Sequence, residues 1–154
     1  MKSMFAYKTE IGEITILESN NTIVGLDFDS IWDIEGVKVQ ETPLLKEAEK
    51  QLREYFLGKR KNFELPLAPD GTEFQKNVWK VLQTIPYGTT WSYKEVAQKI
   101  GSPKAYRAVG MANNKNPISI FIPCHRVIGS NGKLVGYGGG LNIKKYLLNL
   151  EQLY

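Results

Sequence analysis

Alternation between apolar and polar side chains dominates the start of the chain. Residues 13–17 and 22–28 are rich in isoleucine, valine and leucine, and Ser19-Asn20-Asn21 between them supplies turn residues. This combination predicts an antiparallel hairpin. Apolar side chains at every second position of residues 63–67 predict one more short strand.

Between these strands the apolar spacing becomes helical. Apolar side chains recur at intervals of three and four through residues 44–56, which places them on one face of a helix. Thr42-Pro43 supplies a favourable cap and first turn, and Gly58 can end the helix.

Two capping-box sequences, Thr72–Gln75 and Ser92–Glu95, each precede a helical pattern farther along the chain. Gly101 can close the second helix, and Ser102-Pro103 then predicts the cap and first position of another helix over residues 104–113. Two short helices around this turn predict a helix-turn-helix. A helical hairpin that only packs against the core fits the same pattern.

A linker-like stretch at residues 66–71 separates the two patterns. We therefore predict an α/β (α+β) fold of two domains. Residues 1–68 form a small N-terminal domain with an antiparallel sheet and one helix. Residues 69–154 form a mostly helical C-terminal domain that contains the helix-turn-helix.

The charge of the chain changes sign at the same place. Residues 1–68 hold nine Lys and Arg against twelve Asp and Glu, a net charge of −3. Residues 69–154 hold eleven against four, a net charge of +7. A basic domain indicates a polyanionic partner, and a merely solvated basic surface is the alternative.

The composition of the chain limits the cellular compartment and the kinds of site that we expect. Residues 1–8 lack the apolar run of a signal peptide, and no segment is long and apolar enough to span a membrane. We therefore expect a cytoplasmic protein, or a nuclear one in a eukaryote, that does not contact membranes. One cysteine excludes an internal disulfide, and one cysteine with one histidine gives no zinc spacing, so we expect no metal.

The only cysteine, Cys124, directly precedes the only histidine, His125. The thiolate is the reactive form of cysteine, and a nearby imidazole favours it, although an inert buried cysteine is the alternative. Pro123 favours an extended or turning chain, and in an extended chain neighbouring side chains point to opposite faces. We therefore expect a bridging water or a local turn between thiol and imidazole. The acidic residues of the C-terminal domain that can orient the imidazole are Asp70, Glu73, Glu95 and Glu151.

A glycine-rich segment at residues 136–140 follows the reactive pair. Glycine lets a backbone approach a ligand closely, and Tyr137 within the segment can cap a flat ring. A simple linker to the last helix is the alternative. That helix is predicted over residues 141–150, with a buried face formed by Ile143, Leu147 and Leu150.

Several short motifs occur together between Gly71 and Glu151. The central one is Pro123-Cys124-His125-Arg126-Val127, with Asn116-Pro117-Ile118 before it. The supporting ones are Phe74-Gln75, Val78-Trp79, Ile85-Pro86-Tyr87-Gly88, Ser92-Tyr93, Arg107-Ala108-Val109-Gly110, Tyr137 with Gly139-Gly140, and Lys144 with Leu147-Leu148 through Glu151. This set resembles the O6-alkylguanine-DNA alkyltransferases, also called methylated-DNA–protein-cysteine methyltransferases.

The resemblance implies a suicide enzyme, a methylated-DNA–protein-cysteine S-methyltransferase that repairs DNA by direct reversal. Cys124 would accept, in a single turnover, the alkyl group of O6-alkylguanine, or of O4-alkylthymine, after the base flips out of duplex DNA. The resemblance implies no cofactor. It implies double-stranded DNA containing O6-alkylguanine as the partner, and a monomer for which cooperative binding along DNA is open.

The resemblance also implies roles for individual residues. His125 would take the thiol proton through a water, Glu151 would orient His125, and Asn116 would shape the reactive segment. Tyr93 would help to rotate the target nucleotide and to protonate the departing base.

Arg107 would fill the gap that the flipped base leaves in the duplex, by the same resemblance. The other DNA contacts would be Tyr93, Lys94, Ser102 and Ser130. The wall of the base pocket would be Leu134, Val135, Tyr137, Gly138 and Gly139. Three features depart from the family: Tyr106 stands before Arg107 where a small residue is common, Gly138 replaces a serine or alanine, and the zinc ligands that some members carry near the N-terminus are absent, so no metal is expected.

Two other functions fit the same residues. A cysteine hydrolase built on Cys124, His125 and a carboxylate would turn over repeatedly. A non-enzymatic helix-turn-helix protein would bind lesions with Cys124 merely buried, although alkyltransferase-like proteins of that kind typically lack the cysteine.

Overall fold

A computed structural model describes residues 1–29, 31, 33–134 and 136–154 of the chain. They form two compact units, Met1–Pro69 and Asp70–Tyr154. The first unit is a sheet with one helix and the second is mostly helical, so the predicted mixed fold is confirmed.

The sheet of the first unit has four strands in the order β3-β2-β1-β4. They are β1 (Lys2–Thr9), β2 (Gly12–Ser19), β3 (Thr22–Asp27) and β4 (Val37–Val39). β2 pairs antiparallel with both neighbours, and β4 runs parallel to β1. The predicted hairpin is β2 and β3, and its turn holds Asn20 and Asn21 at φ of 51° and 62°, a left-handed conformation that asparagine tolerates.

One helix, α1 (Pro43–Phe56), packs against this sheet. The Thr42 hydroxyl accepts from the Leu45 N–H at 3.1 Å, which is the predicted cap. Gly58 ends the helix at a φ of 74°, because its N–H bonds to Tyr55 while the Lys59 N–H reaches back to Glu54. The core between helix and sheet contains Met4, Ile14, Ile16, Ile23, Leu45, Ala48, Leu52 and Tyr55.

The strand predicted at residues 63–67 is wrong. Only Leu67 pairs with a strand, through an isolated bridge to Ile23. Pro66 has no N–H to give to a ladder, and the backbone of Glu64 bonds instead to the side chain of Gln51 at 2.9 Å and 3.3 Å.

In its described residues the second unit contains four α-helices and two short strands. They are α2 (Glu73–Leu82), β5 (Trp91–Ser92), α3 (Tyr93–Lys99), α4 (Tyr106–Asn114), β6 (Val127–Ile128) and α5 (Leu141–Leu153). The helices α2, α3 and α4 pack on one another, and the Trp79 indole N–H donates to the Ala112 carbonyl at 2.9 Å. β5 and β6 pair in parallel, which joins the start of α3 to the segment after His125.

Capping follows the sequence at two of the helices. Thr72 and Gln75 form the predicted capping box of α2, and the Ser92 hydroxyl accepts from the Glu95 N–H at 3.1 Å at the start of α3. Gly101, at a φ of 83°, closes α3.

The predicted start of the next helix is wrong. α4 begins at Tyr106, and Ala105 precedes it without a side-chain cap. Ser102 is used elsewhere, because its N–H bonds to Ala97 at 3.0 Å and completes the end of α3. Its carbonyl accepts from the Ala105 N–H at 2.9 Å, so residues 102–105 form a turn between the two helices.

The last helix also differs from its prediction. α5 continues to Leu153, and Ile143 is only partly buried. The buried face includes Lys144 and Glu151 beside Leu147 and Leu150, so charged side chains occupy positions that an apolar pattern does not reveal.

We predict that Thr72→Ala lowers the free energy of unfolding by about 1 kcal/mol, because alanine leaves the Gln75 N–H without its cap. Thr72→Ser keeps the hydroxyl and should restore most of the loss. Thr90 is exposed on the same unit, so Thr90→Ala is a matched control expected to stay within about 0.5 kcal/mol. Urea unfolding measures all three, and equal losses in the two alanine variants would contradict the capping role.

Candidate functional site

Cys124 lies in a tight turn rather than in an extended chain. Pro123, at φ −80° and ψ 64°, forms an inverse γ-turn in which the Cys124 N–H donates to the Ile122 carbonyl at 2.8 Å. Cys124–Arg126 then make one 3-10 turn, closed by an Arg126 N–H donating to Pro123 at 3.0 Å. Two arrangements were expected from the sequence, a bridging water or a local turn, and the structure has the local turn.

Asn116 holds the loop that leads into this turn. Its side-chain NH2 donates to the Ile122 carbonyl at 2.8 Å, and its side-chain oxygen accepts from the Ile118 N–H at 3.0 Å. Ile120, between these two contacts, is buried and has a φ of +75°. A β-branched residue in that region stores strain of about 1–3 kcal/mol, so the surrounding bonds determine the shape of this loop.

A buried ion-pair cluster lies directly after the thiol. The His125 Nε2 donates to Glu151 Oε2 at 2.7 Å, and Arg126 donates to both carboxylate oxygens of Glu151 at 2.8 Å and 3.0 Å. The Gly88 N–H donates to the same carboxylate at 3.2 Å, and Arg126 Nη1 donates to the Ile85 carbonyl at 2.8 Å. One carboxylate therefore ties the reactive turn to α5 and to the turn at residues 85–88.

The charges in this cluster compensate one another. Burial alone would raise the pKa of Glu151, but hydrogen bonds from His125 and Arg126 outweigh it and hold that pKa well below its ordinary value. Burial lowers the pKa of His125, with the positive charges of Arg126 and Lys144 adding to it and Glu151 opposing it. Glu151 is therefore an anion at neutral pH, and His125 is a neutral imidazole.

The hydrogen bond to Glu151 determines which imidazole nitrogen is basic. A carboxylate only accepts, so Nε2 carries the proton and Nδ1 has an available lone pair. The Nδ1 atom is buried and has no hydrogen-bond partner among the described residues. An arrangement of this kind can take a proton from a nearby acid.

The thiol of Cys124 is buried, with 3% of the residue exposed. Burial raises its pKa, while hydrogen bonds from Asn116 and Ser119 and the charge of Lys144 act in the opposite direction. The Sγ atom lies 3.9 Å from the Ser119 hydroxyl. The resting thiol is therefore protonated and needs a base before it can react as a nucleophile.

Sequence reasoning missed the buried lysine beside this thiol. Lys144 on α5 is fully buried, its Nζ donates to the Val127 carbonyl at 2.6 Å, and desolvation lowers its pKa to about 8. The positive charge favours the thiolate form of Cys124. The available signal was spacing, because Lys144, Leu147 and Glu151 recur at intervals of three and four on one helix face.

Of the residues expected in the base pocket, Tyr137 lies close to the same thiol. Tyr137 and Cys124 both interact with Ser119, and burial raises the pKa of the Tyr137 phenol well above its ordinary value. Leu134 and Gly139 are partly buried and Gly138 is exposed. Val135, also expected in this wall, lies outside the described residues.

Tyr93 connects the thiol region to the helix pair α3 and α4. It is the first residue of α3, and its ring packs against α4 at Gly110. Burial raises the pKa of its phenol, and the negative charge of a Cys124 thiolate acts in the same direction. At neutral pH the phenol therefore keeps its proton.

The other residues expected to touch DNA are on the surface. Arg107 is exposed on the first turn of α4, and the remaining exposed positions are Lys94, Ser102 and Ser130. Residues 91–115, which include α3 and α4, carry five Lys and Arg and a single Glu. The helix pair therefore presents a basic surface.

Two kinds of feature are absent from the described part of the chain. No three His, Cys, Asp or Glu side chains lie together there in a way that could hold a metal ion. Nor does it contain a helix with the length and apolar character needed to cross a bilayer.

Comparison with known proteins gives one consistent set of relatives. Residues 73–153 match the DNA-binding domain family of 6-O-methylguanine DNA methyltransferase, and residues 5–69 match its ribonuclease-like domain family. The chain is 52% identical over 153 residues to the methylated-DNA–protein-cysteine methyltransferase of Methanosarcina barkeri, covering 94% of each chain. It is 47% identical to the constitutive enzyme of that name from Bacillus subtilis, covering 95% of this chain and 93% of that one.

A solved structure resembles the whole fold. The OGT protein of Mycobacterium tuberculosis, crystallised in complex with DNA, superposes with a TM-score of 0.91 at 43% identity. The match covers 98% of this chain and 93% of the mycobacterial one.

We predict that His125 makes the stability of the fold depend on pH. The unfolded chain protonates this histidine near pH 6.5, whereas burial keeps the folded-state pKa lower. The free energy of unfolding should therefore fall as pH decreases from about 6.5, by at most about 1.4 kcal/mol per pH unit. Urea unfolding at pH 7.5 and 5.5 measures this loss.

The matched variant is His125→Gln, which removes the only histidine of the chain. Glu151 does not titrate in this window, because its unfolded-state pKa is near 4.3 and its folded-state pKa is lower still. The variant should therefore lose less stability over the same interval. An equal pH dependence in both proteins would assign the effect to other groups.

Proposed function

Because the chain belongs to the 6-O-methylguanine DNA methyltransferase family, we propose that it repairs alkylated duplex DNA by moving the alkyl group of O6-alkylguanine, or of O4-alkylthymine, onto Cys124. Double-stranded DNA is the proposed partner, as it is for the mycobacterial relative solved with DNA. The observation that carries the proposal is a single buried thiol beside a neutral histidine, whose orientation is set by the buried pair Glu151 and Arg126.

The first step is deprotonation of the thiol. The buried Nδ1 of His125 is the available base, and a water between it and the sulfur would satisfy both groups. Glu151 stabilises the imidazolium that forms, and Lys144 stabilises the thiolate. Asn116 keeps the loop in the shape that presents the sulfur.

In the transfer step a bond forms between Sγ and the alkyl carbon while the bond between that carbon and O6 breaks. The departing guanine takes a proton, and Tyr93 is a suitable donor because its phenol keeps its proton at neutral pH. Tyr93 then recovers a proton from solvent and His125 releases the thiol proton to solvent, so the net change moves one proton from the thiol to the guanine. The product is a thioether, which water does not hydrolyse under these conditions, so each chain reacts once.

The base must leave the duplex to reach a buried sulfur, which costs a few kcal/mol of unstacking. Arg107, exposed on the first turn of α4, is the side chain that we assign to the vacated space in the stack. The basic surface of the helix pair supplies phosphate contacts whose strength falls with salt. The proposed base pocket comprises Leu134, Val135, Tyr137, Gly138 and Gly139, and the other proposed DNA contacts are Lys94, Ser102 and Ser130.

We also propose that the active species is a monomer. The groups shown to act on Cys124 are Asn116, Ser119 and Lys144, and all three come from the same unit of one chain. No second copy is needed to complete this set.

The decisive experiment is a stoichiometric transfer assay. Incubation with an excess of duplex containing O6-methylguanine should add one methyl group to Cys124, seen by mass spectrometry of the peptide, and the reaction should then stop. Cys124→Ser should bind the duplex without gaining mass. Repeated turnover would support the hydrolase, and binding with an unmodified Cys124 would support the lesion-binding protein.

Arg107 gives a second test. Arg107→Ala should slow transfer from duplex DNA by about tenfold, because the flipped state loses about 1.4 kcal/mol of support. Transfer from the free base O6-benzylguanine should fall much less, since no stack has to be filled. Lys115→Ala, an exposed charge at the other end of α4, controls for the loss of one positive charge. Equal losses of the two substrates would remove Arg107 from base flipping.

A further inference from the structure

Tyr106 is the first residue of α4 and directly precedes Arg107. Its side chain has 36% of its surface exposed, so burial in the core does not explain an aromatic residue here. The proposed transfer reaction does not use it either. The function of Tyr106 is therefore inferred from the side chains next to its ring.

Two cations lie close to the Tyr106 ring. The Lys94 Nζ is 5.6 Å from the ring centroid, and the Arg107 Cζ is 6.0 Å from it. Both distances fall within the range in which the negative face of an aromatic ring attracts a cation. Lys94 belongs to α3 and Arg107 to α4, so one ring interacts with charged side chains from both helices of the pair.

The ring offsets an electrostatic repulsion that a single cation would not experience. Lys94 and Arg107 repel each other, and both have flexible side chains that otherwise sample many rotamers. The ring attracts both, which opposes their separation and restricts their rotamers. Side chains ordered before binding lose less entropy when they engage a phosphate or a base.

We propose that Tyr106 is a positioning residue that holds Lys94 and Arg107 in their DNA-binding orientation. The partner is duplex DNA, whose phosphates complement a segment with five basic residues and a single acidic one. The placement of this contact at the flipped nucleotide rests on the function proposed above. The contribution of Tyr106 to duplex affinity is independent of that function, because binding requires no alkyl transfer.

The test compares two substitutions of Tyr106 by fluorescence anisotropy with an unmodified duplex. Tyr106→Leu keeps an apolar side chain but removes the aromatic face, so the dissociation constant should rise about two- to fivefold. Tyr106→Phe keeps the face and should bind as the wild type does. Tyr146→Leu, on an equally exposed tyrosine of α5, is the matched control and should leave affinity unchanged.

The salt dependence separates positioning from loss of a charge. Lys94→Ala should reduce the slope of log affinity against log salt by about one, because one cation that contacts phosphate disappears. Tyr106→Leu should weaken binding and leave that slope unchanged, since both cations remain.

A further combination of substitutions tests whether Tyr106 acts through the two cations. In a chain that already carries Lys94→Ala and Arg107→Ala, the further change Tyr106→Leu should have no effect on affinity, because the ring has no cation left to position. Circular dichroism and thermal unfolding confirm that each variant is folded.

Three results would overturn the inference. They are equal affinity of Tyr106→Leu and the wild type, equal losses in Tyr106→Leu and Tyr106→Phe, or an undiminished loss in the chain without the two cations. The wild-type transfer assay distinguishes this failure from failure of the proposed function. If Cys124 becomes methylated while Tyr106→Leu binds normally, only the inference fails. If Cys124 stays unmodified while Tyr106→Leu binds more weakly than Tyr106→Phe, only the transfer function fails.

Discussion

The carboxylate of Glu151 is the point on which the reactive region depends. It accepts hydrogen bonds from His125, Arg126 and the Gly88 N–H, and the two side chains that donate to it are buried with it. A buried charge without these partners would be strongly destabilising, so the carboxylate requires the turn at residues 85–88, the 3-10 turn and α5 to be in place together. The same bonds that stabilise the fold also give the imidazole its tautomer.

Burial and charge act in opposite directions around the thiol. Desolvation keeps Cys124 protonated, whereas Lys144 and the hydrogen bonds from Asn116 and Ser119 favour its anion. A protonated resting thiol is protected from oxidation and from stray electrophiles, because only the thiolate reacts readily. In the proposed transfer, activation depends on the neutral imidazole, which would accept the proton when an alkylated base is present. This balance suits a protein that can use its sulfur only once.

Much of this arrangement could be predicted from the sequence, and the exceptions have physical causes. Thr42, Thr72 and Ser92 act as caps as predicted, because capping depends on neighbours within three residues. β1 was not predicted, since Thr9 is its single β-branched residue and its pairing with β2 is a contact between segments. Ser102 was assigned to the wrong helix, because the end of α3 competes with the start of α4 for the same residue. At the site, Lys144 was noted as part of a motif, but its burial was not predicted, because a lysine is normally a surface residue.

The parallel pairing of β5 with β6 has a mechanical consequence. β5 ends where α3 begins, and β6 begins where the turn with Cys124 ends. The pairing of Trp91 with Val127 and of Ser92 with Ile128 therefore sets the spacing from the helix pair to the sulfur. A force exerted on α3 by a bound duplex would shift the acceptor atom with it. The distance that an extruded nucleotide must travel to the sulfur is thus set by the backbone. It stays constant while surface side chains adapt to different flanking sequences.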